Sequence, residues 1–226
     1  MSDIAALLVN ITERFSETVP AIDFAFGEIT LVVAKEQLLG VATILRDEFL
    51  FNQLIDVCGV DYLHYGLSEW ETTTATTNGF ERGRDTRAIE DANKTENLHS
   101  KSRFAVVYHF LSLTQNYRIR VRVLLDENDL TIPTLVDLWP SANWFEREAF
   151  DLFGIIFEAH PDLRRILTDY GFIGHPFRKD FPLIGNVEVR YDAALKRVVY
   201  EPVSIQPRIL EPKVIRHDNR YETGEQ

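Results

Sequence analysis

The sequence has little cysteine: Cys58 is the only one in 226 residues. A single thiol excludes an intramolecular disulfide, and it also excludes an iron–sulfur cluster ligated by several cysteines of this chain. Cys58 lies in the apolar stretch LIDVCGV. We therefore expect a small buried hydrophobic side chain there, with a reactive thiol as the alternative.

Long apolar runs and an excess of positive charge are also missing. The nearest run, residues 104–113, is interrupted by His109 and Ser112 and falls short of the roughly 18 residues that a membrane-spanning helix needs. Any membrane association is therefore expected to come through partner proteins. The formal net charge of −11 repels phosphate groups, so neither nucleic acid nor an anionic membrane surface is an expected partner. The first residues carry no basic leader, and we expect the mature chain to begin near Met1.

Helical and strand patterns alternate in the first 60 residues. Apolar residues at helical spacing predict an amphipathic helix over residues 4–19. Two short strands over 24–26 and 29–33 are predicted next, followed by a second helix over 35–50.

The strongest strand signal is a pair of β-branched and aromatic runs, RFAVVYHFLSL and YRIRVRVLL, separated by residues 114–116. Such a pair is typical of a β-hairpin. In the second run Arg118, Arg120 and Arg122 alternate with apolar residues, so one face is expected to be buried and the other to carry guanidinium groups. That second face is either solvated beside carboxylates or a docking face for an acidic partner.

Two further regions differ in composition from the rest. Residues 66–102 are rich in Thr, Asn, Gly and charge, which predicts an exposed insertion with a short helix over 81–91. The region from Pro161 onward holds six of the nine prolines and has 11 Lys and Arg against 10 Asp and Glu, so it is nearly neutral.

The predicted fold class is α+β. Residues 1–160 are expected to form a mixed β-sheet with packed helices, interrupted by the polar insertion. Residues 161–226 are expected to form a long extended Pro-rich tail, because proline forbids long helices and central strands. An extended chain cannot bury its own apolar residues, so we expect the tail to dock on partner subunits.

Residues 141–154 read SANWFEREAFDLFG. Asn143 and Glu146 have the spacing of a capping box, which predicts a helix that starts just after Pro140. Considered without any relatives, the Glu-Arg-Glu run is most simply an i,i+4 salt-bridge pattern on a helix.

The chain from Glu146 onward resembles the signature of the complex I 30 kDa subunit family, also called the C subunit. The matching positions are Glu146, Arg147, Glu148, Asp151, Leu152, Phe153, His160, Arg164, Ile166 and Leu167. The segments GHPFRKDFPL and VEVRYD after the signature, and FAVVYHFLSL before it, are similar to the family as well. The likeness is strong between residues 104 and 216 and weaker in the N-terminal helices.

The resemblance implies a non-catalytic structural subunit in the peripheral arm of proton-translocating NADH:quinone oxidoreductase. This translocase passes electrons from NADH through FMN and iron–sulfur centres to quinone. The resemblance implies that FMN and the clusters are bound by partner subunits and that this chain holds no cofactor and no metal. The implied partners are the large subunit that forms the quinone site, called the D subunit, and neighbouring iron–sulfur subunits.

The resemblance also implies a location and a role for the signature. The location is the cytoplasmic side of the bacterial inner membrane, or the matrix side for an organelle-encoded chain. The signature residues are expected to be structural and interface determinants, together with Arg178, Lys179 and Asp180.

Two alternatives remain open at this point. One is the equivalent subunit of an energy-converting membrane-bound nickel–iron hydrogenase. The other is an independent soluble hydrolase built on Glu146, Glu148, Asp151, His160 and His175 as an acid/base or metal cluster. The sequence has no HExxH, no Gly-rich phosphate loop and no GxSxG, so we expect no catalytic residue in this chain.

Overall fold

The computed structural model of the chain describes residues 2–16, 18–63, 65 and 102–205. These residues belong to two compact units. The first contains the described residues up to 63 and those from 102 to 181, and the second contains Tyr65 and residues 182–205. The predicted insertion with its helix over 81–91 lies outside the described residues, apart from Ser102, and so does the end of the predicted tail.

The first unit begins with helix α1 and a run of strands. The elements up to residue 61 are α1 (Ser2–Phe15), β1 (Ala21–Ala25), β2 (Glu28–Val33), a 3₁₀ turn (Lys35–Gln37), α2 (Leu38–Asp47) and β3 (Gln53–Asp61). After the insertion follow β4 (Phe104–Ser112), β5 (Tyr117–Leu125), β6 (Thr131–Pro133), α3 (Ala142–Phe153) and β7 (Ile156–Glu158). In the described part of the chain no helix is long and apolar enough to cross a membrane.

Five strands form one mixed sheet in the order β1-β2-β5-β4-β3. Strands β2 and β5 pair in parallel, and the other neighbours pair antiparallel. Apolar side chains of α1, α2 and α3 join those of one sheet face in a single core. The predicted α+β class is thus confirmed.

Most local predictions in this unit are confirmed, with small shifts at the ends. The predicted hairpin is β4 and β5, and the residue that closes its turn, Asn116, has a φ of 56°. The strand predicted at 24–26 begins earlier, at Ala21, and it ends at Ala25 because Phe26 and Gly27 adopt φ values of 54° and 80° and form the turn to β2. Helix α2 is shorter than predicted because its first three residues form a 3₁₀ turn.

The sheet face opposite the core carries the arginine row, as predicted. Arg120 donates hydrogen bonds to the Thr30 hydroxyl at 2.8 and 3.0 Å and lies 4.0 Å from Glu28. Arg122 lies 3.9 Å from Asp23. These guanidinium groups therefore have carboxylate neighbours within their own sheet.

The second unit is built on an antiparallel hairpin of β8 (Val187–Asp192) and β9 (Arg197–Pro202). The sequence-based prediction described this part of the tail only as extended. Residues 161–181, also assigned to the tail, belong to the first unit. The predicted boundary at residue 160 and the docking of the tail on partner subunits stay predictions.

Candidate functional site: the signature segment on helix α3

Helix α3 carries the first half of the signature. It begins at Ala142, close to the predicted start, but the capping-box prediction is wrong. Ser141 occupies the N-cap without a capping hydrogen bond, since its hydroxyl donates to the Leu54 carbonyl at 3.3 Å, and Asn143 lies within the first turn. Glu146 does not turn back to cap the helix because its carboxylate points into the core and binds another segment.

Glu146 binds the segment that precedes the helix. Its side chain is fully buried and accepts hydrogen bonds from the Thr134 hydroxyl at 2.5 Å and from the Leu135 N–H at 2.8 Å. Burial raises the pKa of Glu146 to about 7, although both hydrogen bonds act in the opposite direction. The residue therefore exchanges a proton near neutral pH while it fixes the entry to α3.

Asp151 binds the segment that follows the helix. Its Oδ2 accepts hydrogen bonds from the N–H groups of Ile166, Leu167 and Thr168 at 3.0, 2.7 and 2.8 Å. Its Oδ1 accepts from the Thr168 hydroxyl at 2.5 Å and from Arg165 at 3.0 Å. Burial alone would raise the pKa of Asp151, but the bonds from Thr168, Leu167 and Ile166 outweigh it and bring the pKa to about 2.

The last carbonyl groups of α3 are satisfied by the same downstream segment. His175 Nδ1 lies 2.9 Å from the Asp151 carbonyl oxygen, and the Phe177 N–H donates to the Leu152 carbonyl at 3.1 Å. The Arg178 guanidinium donates to the Phe153 carbonyl at 2.6 Å. N–H donors at a helix C-terminus complete the hydrogen bonding of its last carbonyl groups. A cationic donor there also interacts favourably with the negative end of the helix dipole.

Gly154 makes this close approach possible. It ends α3 with a φ of 77°, a left-handed conformation that favours glycine. A Cβ at this position would lie 2.6 Å from Arg178 and 2.7 Å from His175. The signature helix and the segment after it are therefore fitted to each other at backbone level.

The basic signature residues hold the loop between α3 and residue 165. Arg147 donates to the carbonyl oxygens of Arg164 and Arg165 at 3.1 and 3.3 Å. His160 lies 3.2 Å from the Asn143 carbonyl through Nε2 and accepts the Asp162 N–H at 3.0 Å through Nδ1.

Residues 178–180 meet a charge cluster that the sequence did not reveal. Arg103 forms ion pairs with the fully buried Asp61 at 3.0 Å, with Asp180 at 2.8 Å and with Glu127 at 2.6 Å. The hydrogen bond to Asp61 is the main cause that raises the pKa of the Arg103 guanidinium. The Lys179 N–H donates to Asp61 at 2.8 Å. No local pattern marks this cluster, since Asp61 and Lys179 alone lie 118 residues apart.

The remaining signature residues divide by exposure. Leu152 and Phe153 are buried in the core, Ile166 is half-buried, and Glu148, Arg164 and Leu167 are exposed. The set nominated for acid/base or metal chemistry is not assembled into a centre. Within residues 102–205, Glu146, Glu148, Asp151, His160 and His175 form no group of three or more side chains that is close enough to hold a metal ion.

A second candidate surface is one face of the β8–β9 hairpin, here called the apolar hairpin face. Cross-strand pairs Val189–Tyr200, Tyr191–Val198 and Val187–Pro202 put six apolar side chains on this face. Val189 and Tyr200 are 55% and 63% exposed. The opposite face is polar and includes an ion pair of Arg190 and Glu201 at 2.9 Å.

Comparisons with known proteins agree with the signature. The family model described as respiratory-chain NADH dehydrogenase, 30 Kd subunit, matches residues 31–187. A protein of Legionella pneumophila (strain Corby), named as the C subunit of NADH-quinone oxidoreductase, is 59% identical over 199 residues, which are 87% of this chain and 86% of that protein. A protein of the same name from Coxiella burnetii (strain Dugway 5J108-111) is 53% identical over 228 residues, 100% and 98% of the two chains.

Among solved structures, the chain is similar in fold to a chain of the membrane-bound sulfane sulfur reductase, an archaeal respiratory membrane complex. The TM-score is 0.54 at 18% identity, over 80% of this chain and 86% of that one. With the family model and the curated relatives, the assignment is complete: this chain belongs to the 30 kDa subunit family of respiratory-chain NADH dehydrogenase, complex I.

Proposed function

We propose that this chain is a non-catalytic structural subunit of the peripheral arm of proton-translocating NADH:quinone oxidoreductase. In that assembly electrons pass from NADH through FMN and iron–sulfur centres of partner subunits to quinone, and the transfer drives proton translocation. The names of its relatives, which are C subunits of NADH-quinone oxidoreductase, support this role. We place the chain at the cytoplasmic side of the bacterial inner membrane, attached through its partners.

The contacts of the signature carboxylates support a structural role. The Asp151 carboxylate accepts hydrogen bonds from four residues of its own chain, and the Glu146 carboxylate accepts two. Neither residue is exposed to solvent. Groups saturated in this way organise the loops around α3 rather than bind a substrate.

The apolar hairpin face carries the proposal that the chain docks on partner subunits. A two-stranded hairpin is marginally stable alone in water and normally packs one face on another element. Six exposed apolar side chains on one face are typical of a protein–protein contact. We propose that the partner is the large quinone-site subunit, with iron–sulfur subunits beside it.

The test is purification of the tagged chain from its native membranes in mild detergent, with mass spectrometry of its companions. The double variant Val189→Ser with Tyr200→Ser is expected to recover less of the large quinone-site subunit and to lower NADH:quinone reductase activity of the membranes. The matched control is Arg190→Gln on the polar face, which is expected to retain both.

Two outcomes would contradict the proposal. Companions of the nickel–iron hydrogenase type would assign the chain to the other complex considered above. Recovery of the chain alone with activity of its own would show that it is an independent enzyme.

A further inference from the structure

Three potential metal ligands converge on the sheet face opposite the core. Asp56 on β3 is paired directly with His109 on β4, and Cys58 follows two residues later on the same face. The carboxylate oxygen, the imidazole nitrogen and the thiol sulfur all lie within 4.8 Å of one another. All three residues are half-buried, so solvent ions reach them.

An irregularity in β3 produces this arrangement. The register shifts between Leu54 and Asp56, and Leu54 and Val57 both point into the core. The extra residue therefore places Asp56 on the opposite face, beside His109 and Cys58. Bulges of this kind commonly redirect a side chain.

Few hydrogen bonds occupy the three side chains. Among the described residues the only hydrogen bond of Cys58 is a long one, 3.8 Å from the sulfur to the Val107 carbonyl, and Asp56 and His109 form none through their side chains. Cys58 was expected to be buried, but it is half-buried because it points away from the core. Successive side chains of a strand point to opposite faces, and Val57 takes the core face, so Cys58 lies on the other one.

The electrostatic surroundings favour a cation. The carboxylates of Asp56 and Glu148 both lie near enough to the Cys58 thiol to act on it electrostatically. Arg120 is paired with His109 in register, but its guanidinium binds Thr30 on strand β2, the neighbour of β5 on its other side. Its charge is therefore directed away from the three ligands.

We propose that Asp56, Cys58 and His109 bind one divalent cation of the zinc class. Thiolate, imidazole and carboxylate are the ligands of protein zinc, with bonds of about 2.0–2.3 Å. Tetrahedral ligands at such bond lengths are roughly 3.5 Å apart, so small side-chain rotations bring the three atoms into range. Cys58 coordinates as the thiolate, and its proton is released to water.

Three protein ligands leave a fourth position open to water or to a ligand from a partner. The ion fastens strand β3 to β4 on the sheet face opposite the core that α1, α2 and α3 form. This proposal departs from the expectation that the chain holds no metal, and it is independent of the proposed role in complex I.

The experiment uses the metal-free full-length chain with any affinity tag removed. We expect Zn²⁺, measured by competition with a chromophoric chelator, to bind at one ion per chain. We expect Co²⁺ to give a thiolate-to-cobalt charge-transfer band in the near ultraviolet. Cys58→Ser is expected to abolish the band, and Cys58→Ser and His109→Gln each to weaken Zn²⁺ binding by at least about tenfold.

The matched control is Asp23→Asn, which removes a carboxylate from the same sheet face outside the site and is expected to leave binding unchanged. Circular dichroism of the metal-free variants verifies their fold, and Zn²⁺ is expected to raise the melting temperature of the natural chain but not of His109→Gln. Absence of the cobalt band, or equal Zn²⁺ affinity in Cys58→Ser, His109→Gln and the natural chain, would overturn the proposal.

Discussion

Glu146 and Asp151 lie five residues apart on helix α3, both fully buried, yet they face regions with opposite electrostatic properties. Glu146 faces the apolar core beside the 134–135 backbone and has a pKa raised to about 7. Asp151 faces a turn of N–H groups and a guanidinium and has a pKa lowered to about 2. Glu146 lies deeper in the protein and accepts two hydrogen bonds, whereas Asp151 accepts five, one of them from a guanidinium.

The difference shows how one short motif organises two loops by different means. Asp151 acts as a permanent anion around which residues 165–168 are wrapped. Glu146 accepts its hydrogen bonds with a pKa of about 7, so at neutral pH it is protonated in part of the molecules and ionised in the rest. Substitutions of Glu146, Asp151 and their partners should therefore lower the free energy of unfolding by different amounts and with different pH dependence.

The largest effect is expected for Asp151→Ala. The substitution leaves Arg165 and three backbone N–H groups without their acceptor, and breaking a buried pair typically costs about 3–5 kcal/mol. We expect a loss of that size in the free energy of unfolding, measured by urea denaturation of the full-length chain at pH 7. A loss below about 1 kcal/mol would show that the turn holds its conformation without the anion.

The next largest losses are expected when the hydroxyl groups of Thr168 and Thr134 are removed. Thr168→Val removes a bond to the ionised Asp151, and hydrogen bonds to charged groups contribute about 1.5–3 kcal/mol. Thr134→Val removes a bond to Glu146, which is partly protonated at pH 7, and is expected to cost about 1 kcal/mol. Equal losses in urea denaturation would contradict the contrast between the two carboxylates.

The smallest effect at neutral pH is expected for Glu146→Gln, at about 1 kcal/mol or less, because the amide is similar in shape to the protonated acid. The pH dependence carries more information. The folded pKa of Glu146 is raised, so its favourable contribution is complete below about 4.5 and is lost as the pH rises through about 7. The loss caused by Glu146→Gln is therefore expected to shrink between pH 5 and pH 8.

For Asp151→Asn we expect the opposite dependence of the stability loss on pH. The folded pKa of Asp151 is lowered, so its contribution is present above about 3.8 and is lost as the pH falls through about 2. The loss caused by Asp151→Asn is expected to be constant from pH 5 to pH 8 and to shrink in acid. Parallel profiles for the two variants, measured by urea denaturation across this range, would refute the assignment of opposite shifts.

The sequence predicted the parts of the fold that depend on local periodicity. Helix α1, the β4–β5 hairpin and the start of α3 follow from spacing of 3.6 or 2 residues. The role of Glu146 was not predicted correctly, because a capping box and a core hydrogen bond place the same residue type at the same spacing. Nothing local distinguishes the two.

The packing of residues 161–181 on α3 was also missed. Frequent proline and glycine indicated an extended segment, and the segment is indeed irregular. It is held by side chains that bind groups of α3 14–25 residues away: Arg165 binds the Asp151 carboxylate and Arg178 binds the Phe153 carbonyl. The Arg103 cluster joins positions still further apart. Hydropathy patterns contain no information on such bonds, and only the resemblance marked these residues as a group.

The connection between β3 and β4 spans residues 62–103, although the two strands are antiparallel neighbours that two residues could join. The chain entropy lost on closing a loop grows only with the logarithm of its length, by roughly 0.6 kcal/mol per doubling. Relative to a two-residue turn, this connection is more than four doublings longer and therefore costs roughly 2.6 kcal/mol. At this length, adding or removing ten residues changes that cost by only roughly 0.2 kcal/mol, so we expect insertions and deletions here to leave the register of β3 on β4 unchanged.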